Sequence, residues 1–323
     1  MRKRSIAVFT ALLLMMSLSL VACGKKSGDG LPVVGIAKLV SHPAMDATER
    51  GVIDELKEQG VKVEFDLQNA NGDVSTAASI AAKYKSSKVR IAVGISTPVA
   101  IALAKALPNT PVIFAAVTDP LGAKLRTSND KDTANVTGIS NLAPIDEGIS
   151  LATEIVATRG GSLKKLGHLY TPAEPNAVVQ YGMIVKACDK MGIELVATTV
   201  TNSADVRSAV NMLLDKNVDA IYISTDNVVA SALKSVTDAA SARKIPVISA
   251  DPSSAKSNNA TAAYGVDYYK HGRETGKLVA EVLKGKFAGD IPIKYMILPS
   301  ELELYLNQAN AKLIGVDLGK IKK

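Results

Sequence analysis

The chain contains no tryptophan, and beyond its first 22 residues phenylalanine occurs only at Phe65, Phe114 and Phe287. Clefts that hold a pyranose often stack it on an indole ring, so this shortage counts against a sugar ligand. Histidine is scarce as well. His42, His168 and His271 are the only three, and their spacing fits no metal motif, so neither metal nor other cofactor is expected. Cysteine stands only at 23 and 188, which leaves no pair for a disulfide after Cys23. The setting of Cys188, Val185-Lys186-Ala187-Cys188-Asp189, reads as a helical core position. No G-x-G-x-x-G follows a strand, and G-x-x-x-x-G-K-[ST], G-x-S-x-G and H-E-x-x-H are all missing. Those absences weigh against an enzyme. After residue 22 no run is long and apolar enough to span a bilayer. The net charge is +7, and removing Arg2, Lys3 and Arg4 takes it to +4 with no basic block, so nucleic-acid binding is not indicated.

What is present begins with a targeting pattern. Arg2 to Arg4 form a basic n-region, Ile6 to Leu20 an apolar h-region, and Leu20-Val21-Ala22-Cys23 a small-residue cleavage site. A cysteine directly after Leu-Val-Ala resembles the bacterial lipobox. That resemblance implies removal of residues 1–22, a diacylglyceryl anchor on Cys23 and a place on the outer side of the cell membrane. Residues 23–32 then read as a tether rich in Gly, Ser and Lys.

The remainder is long enough for two domains. Apolar runs alternate with helical patterns throughout: strands at 31–40, 61–67, 89–95, 111–117 and 136–140 in one half, and at 165–170, 193–200, 220–223, 246–250 and 262–266 in the other. Single helices between strands imply right-handed βαβ units on parallel sheets. Landmarks also recur. Ile95-Ser96-Thr97 matches Ile223-Ser224-Thr225 at an offset of 128 residues, and Pro111-Val112-Ile113 matches Pro246-Val247-Ile248 at 135. One α/β architecture is therefore used twice, as two Rossmann-like lobes. Crossings are expected near Asn141, Asp267 and Gly289, which assigns 33–141 with 267–289 to the N-terminal lobe and 142–266 with 290–323 to the C-terminal lobe.

In open α/β sheets ligands bind beyond the carboxyl ends of the strands. Those ends carry Ser41 and His42, Ser96 and Thr97, Thr118 and Asp119, then Asn176, Thr225 with Asp226, and Asp251. All are polar, and none forms a catalytic set. Thr97 reads as an N-cap and Pro98 as the first helical residue, so free N–H groups and the positive helix end would face the cleft. Asp226 occupies the matching position of the other lobe, where it either faces a ligand or caps the helix from Asn227. Cap-type donors opposite an acid suit an α-amino acid, carboxylate to one lobe and ammonium to the other. His42 is as much a candidate cap as a ligand contact, and His168 reads as a core residue.

Together Val34-Gly35-Ile36 with His42-Pro43, Asn69-Ala70-Asn71-Gly72-Asp73, Ser96-Thr97-Pro98, Phe114 to Pro120, Asn135-Val136-Thr137-Gly138, Ser224 to Asn227 and Tyr264 to Tyr269 resemble the substrate-binding lipoproteins of ABC importers whose members bind tryptophan or tyrosine. The resemblance implies a type I periplasmic-binding fold that closes on an amino acid and delivers it to an ABC permease and its ATPase, as a monomer tethered to the membrane. It also implies that Ser96, Thr97 and Thr118 hold the carboxylate, while Asp226 and Asp251 hold the ammonium. Two departures, Thr171 where asparagine is more usual and Ala177 where serine is common, leave the side chain of the bound amino acid open. The rival readings are an exported hydrolase using Asp119 or Asp226, and the binding module of a sensor.

Overall fold

The structure, a computed structural model, describes residues 30–321. The signal segment and Cys23 lie outside the described residues.

Two six-stranded sheets organise the chain. The first uses β1 (Val33–Lys38), β2 (Glu64–Asn69), β3 (Ile91–Ile95), β4 (Val112–Val117), β5 (Val136–Ser140) and β11 (Lys294–Tyr295), in the order β11-β5-β4-β3-β1-β2. The second uses β6 (Lys165–Tyr170), β7 (Glu194–Thr199), β8 (Ala220–Ile223), β9 (Val247–Ser249), β10 (Ala262–Val266) and β12 (Leu302–Leu306), in the order β12-β10-β9-β8-β6-β7. All pairings are parallel except β10 with β12. The central strands β3, β4 and β5 are buried at every residue, β3 and β4 as continuous apolar runs and β5 with Thr137 and Ser140 buried as well. The edge strand β2 alternates and is only partly covered.

Helices cover both faces of each sheet. On the first lie α1 (Pro43–Glu58), α2 (Val74–Ser87), α3 (Thr97–Ala106) and, returning late, α10 (Tyr268–Leu283). On the second lie α4 (Ile145–Ala157), α5 (Pro175–Met191), α6 (Val206–Asp215), α7 (Asn227–Ser231), α8 (Leu233–Ala242), α9 (Pro252–Ser257) and α11 (Gln308–Ile314). The helix expected from Asn227 is two helices, α7 and α8, broken at Ala232 (φ −115°). Each sheet carries one apolar core per face. Cys188 and His168 belong to the second lobe's interior, and His168 Nδ1 donates one bond to the Tyr222 carbonyl at 2.8 Å.

Helix α10 seats the second crossing. It packs on α1 almost backbone to backbone: a Cβ added at Gly272 would lie 2.2 Å from the Thr48 carbonyl, and one at Gly51 2.5 Å from the Tyr269 carbonyl. Any larger side chain at either position has to push the helices apart. Arg273 reinforces the pair through Glu55 at 2.6 Å.

The chain passes between sheets after β5, between β10 and α10, and between β11 and β12. The third crossing, expected near Gly289, therefore falls between Tyr295 and Leu302. The cause is β11, which extends the first sheet beside β5 with only two residues, too few to leave a pattern in the sequence. Buried Arg126 pins this returning segment with bonds to the carbonyls of Ile291 (2.6 Å) and Gly289 (3.0 Å).

Candidate functional site

The carboxyl ends of both sheets meet across a cleft, and the residues expected there fall into three groups. The first-lobe wall is built by β3, β4 and the turns that follow. Ser96 is the N-cap of α3 and Thr97 its first residue, one position earlier than expected, and neither hydroxyl caps the helix. Both are buried and their Oγ atoms have no partner. Ser96 has φ 94°, a conformation costing a non-glycine residue about 1–3 kcal/mol, and Ala116 at the end of the next strand has φ 53°. Such strain persists where surrounding structure enforces it; here Ser96 N–H is held by the Ala115 carbonyl (3.0 Å) and Ala116 N–H by His271 Nε2 (3.4 Å). Burial keeps His271 neutral, its pKa lowered to about 4. The first-turn N–H groups of Thr97 and Val99 have no intrahelical acceptor by construction. This wall thus offers hydroxyls, free amides and a positive helix end.

The second-lobe wall is different. Asp226 is fully buried and caps α7: it accepts from Val229 N (2.9 Å), Thr171 N (2.5 Å) and Thr171 Oγ1 (3.0 Å). Beside it Glu174, also buried, accepts from Val228 N (3.0 Å), Asn227 N (3.2 Å) and the Asn227 side-chain amide. Two carboxylates so share one short helix start. Burial first, and the Glu174 charge second, push Asp226 up to about 7. Of the two alternatives for Asp226, the capping geometry is the one present. Asp251 caps α9 with Oδ1, accepting from Ser254 N (3.0 Å), while its Oδ2 is buried without a hydrogen-bond partner. Burial raises its pKa, against the opposing pull of His42. Asn176 donates to the Thr225 carbonyl (2.9 Å) and Glu174 (3.1 Å), which leaves its Oδ1 unpartnered too.

Two side chains tie the walls together. His42 belongs to the first lobe, yet its ring caps nothing in α1 and instead meets Asn227 Oδ1 and Ser254 Oγ, each at 3.3 Å. Gln180, one turn after Asn176 on α5, reaches Thr118 Oγ1 across the cleft (3.4 Å) while holding the Thr225 N–H (3.2 Å) and hydroxyl. Thr118 in turn lies 3.4 Å from Asn141 Oδ1, and Asn141 donates to Tyr268 Oη (2.9 Å), so the first two crossings are wired to the cleft. Between the walls His42, Ala116, Asn141, Asn176, Asp251 and Tyr268 help line a cavity of about 10 Å³, the space one water needs.

Two expected residues stand apart. Ser41 is exposed and spends its hydroxyl on Asp46 (2.7 Å), and Asp119 accepts from Gly122 N (2.8 Å) in the turn after β4. Gln180 and Glu174 were not anticipated. The i, i+4 spacing of Asn176 and Gln180 on one helix face was the available signal for Gln180; Glu174, just ahead of a proline, carried none. Among the described residues no three His, Cys, Asp or Glu side chains gather for a metal ion.

A two-lobed parallel α/β fold with an acid wall facing a hydroxyl wall across a cleft is the architecture of a binding protein for a small solute. The chain belongs to the ABC transporter substrate binding protein family, whose profile matches residues 33–320. Members of that family are extracytoplasmic binding proteins of ABC transporters, not enzymes. The tyrosine-binding protein of Clostridioides difficile (strain R20291) is 36% identical over 287 residues, covering 88% of this chain and 81% of that protein. Among solved structures, an ABC domain from Streptococcus pneumonia in complex with L-Trp superposes with TM-score 0.83 at 30% identity, covering 90% of this chain and 97% of that one. The ligand-free, open structure of a substrate binding protein from Clostridium difficile gives TM-score 0.65 at 32% identity, with 89% and 96% covered. At nearly equal identity, the lobes match the tryptophan complex far better than the open form.

Proposed function

We propose that this chain is the capture component of an importer for an aromatic amino acid, held to the outer face of the cell membrane by a lipid on Cys23. The observation that carries the reading is the complementarity of the walls. Ser96 Oγ and Thr97 Oγ1, with the start of α3, offer donors suited to a carboxylate. Asp251 Oδ2 and Asn176 Oδ1 are buried acceptors suited to an ammonium. Thr118 joins the carboxylate side, and Asp226 with Thr225 shapes the opposite wall instead of meeting the ammonium directly.

Closure around the ligand is supported by the contrast between the two relatives: the one bound to L-Trp superposes with TM-score 0.83, and the open, ligand-free one with 0.65. A hinge motion of this kind moves two rigid lobes through their crossings. The cavity between the closed walls is smaller than any amino acid, so a ligand enters with the lobes apart.

The test is calorimetry on ligand-stripped protein with each common amino acid. L-Tyr and L-Trp are expected to bind, with a smaller radius of gyration by X-ray scattering at saturation; no response to any amino acid removes the reading. Cells carrying Cys23→Ala should shed the protein from their membrane fraction.

A further inference from the structure

His42 holds a position that ligand capture does not explain. It follows β1 of the first lobe, is nearly fully buried, and directs both ring nitrogens to the second lobe. Asn227 donates its amide N–H to Glu174, so its Oδ1 can only accept, and His42 Nε2 must carry a hydrogen toward it. On the other side Nδ1 stands 3.3 Å from Ser254 Oγ and 4.0 Å from the unpartnered Asp251 Oδ2. This is the atom most open to a ligand ammonium, and the cavity beside it has room for about one water. Ring and ligand cannot both occupy that corner.

We propose that His42 is an interlobe latch: its ring takes the place of the ligand's ammonium against Asp251 when the lobes close empty, so that capture has to displace it. The latch stands on the hydrogen bonds between lobes; only the identity of its competitor rests on the amino-acid reading. The groups around the ring fix the direction of its pH dependence. From the second lobe Asp251 faces it from the start of α9, and Asp226 with Glu174 stand behind Asn227 at the start of α7. From α10 it meets Tyr268, whose hydroxyl pKa is raised by burial and by Asp251. On its own side Lys38 is engaged by Asp46 (2.8 Å) and Glu49 (3.0 Å). Asp251 is thus the carboxylate that faces the ring directly, Asp226 and Glu174 lie beyond Asn227, and none of the second-lobe groups named is a cation.

Burial raises the Asp251 pKa in the closed form, and opening returns that carboxyl to water. Closing empty therefore takes up a proton at Asp251. A group raised in the closed form stabilises that form fully below its open-form pKa, and the effect is lost as pH rises through the closed-form value. Acid strengthens the latch. An amino acid brings its own cation and expels the proton, so its affinity falls in acid.

The experiment measures the radius of gyration of ligand-stripped protein at pH 5.0 and 8.0, for the wild type, His42→Ala and His42→Gln, each checked for a cooperative melt. The wild type is expected to contract at pH 5.0 and both variants to show no pH response. An unchanged wild type, or a contraction that survives in the variants, overturns the latch. Calorimetry with L-Tyr and L-Trp supplies the second arm. His42→Ala should raise affinity about fivefold at pH 5.0 and little at pH 8.0, because removing an occupied closed state lifts a conformational penalty on binding. Weaker binding by the variant at both pH values makes the imidazole a ligand contact and overturns the latch. If neither amino acid binds any of the proteins, the proposed function fails, and the scattering arm still decides the latch.

Discussion

The two walls of the cleft are made by matching strand ends, and they store polarity in opposite ways. On the first wall Ser96 and Thr97 leave buried hydroxyls unpartnered and the backbone is forced to positive φ at Ser96 and Ala116. On the second wall Asp226 and Glu174 have nearly every oxygen spent on the starts of helices and on Thr171, while Asp251 Oδ2, Asn176 Oδ1 and the Ser224 hydroxyl are left without partners. The first wall is a set of donors held open by strain. The second is a rigid acid frame with one vacant acceptor corner. A carboxylate's position in the chain therefore says little about its job, because the same residue type is structural at 226 and available at 251.

The sharpest way to break this contrast is to neutralise each acid in turn at pH 8.0, where the latch is weak. Asp251→Asn removes the ammonium's charged partner and is expected to weaken L-Tyr or L-Trp binding by about 2–5 kcal/mol with a small change in melting. Asp226→Ala removes three accepted bonds, the helix cap among them, so about 2–4 kcal/mol of folding stability should go, read by chemical denaturation. If instead Asp226→Ala abolishes binding in a protein that melts normally, the assignment of the two acids is reversed.

Much of this layout is legible in the sequence. The doubled βαβ alternation and the polar strand ends follow from period and from where apolar runs stop, since buried parallel strands must be continuously apolar. What was not readable depends on side-chain direction. Asp226 precedes a helical pattern, and a capping acid and a ligand-facing acid look identical in sequence. Ser41 was drawn in by its place beside His42, yet Asp46 one turn on captures it. Gln180 sits mid-helix among apolar neighbours, and only the closed lobes show it spanning to Thr118. The third crossing was misplaced because a two-residue strand has no periodicity to detect.

A smaller effect separates the walls by pH. Asp226 is raised to about 7 in the folded protein by burial and by Glu174, whereas an unfolded chain returns it to the usual carboxylate value. A raised group stabilises the fold fully below its unfolded pKa and loses that contribution as pH climbs through the folded value. Stability in denaturant should fall by on the order of 2 kcal/mol between pH 5 and pH 8. Asp226→Asn cannot titrate and should flatten that slope. A slope unchanged in the variant would place the titrating proton elsewhere, Asp251 being the other carboxyl raised by burial.

The smallest and most discriminating change is Ser96→Gly, which touches only the strained wall. Glycine adopts φ 94° without the steric cost that a Cβ imposes, so the fold should gain up to about 1 kcal/mol, or break even against the greater freedom of the unfolded chain. The same change deletes Ser96 Oγ, an unpartnered buried donor. If that hydroxyl is kept for a ligand carboxylate, affinity for L-Tyr or L-Trp should drop by about 1.5–3 kcal/mol, the worth of a hydrogen bond to a charged group. Stability and affinity would then move in opposite directions from one residue, as expected where strain is maintained for binding. A variant that gains stability and binds unchanged would leave the strain at Ser96 as a consequence of the β3-to-α3 turn alone, and would move the carboxylate's contacts to Thr97, Thr118 and the free amides of the helix start.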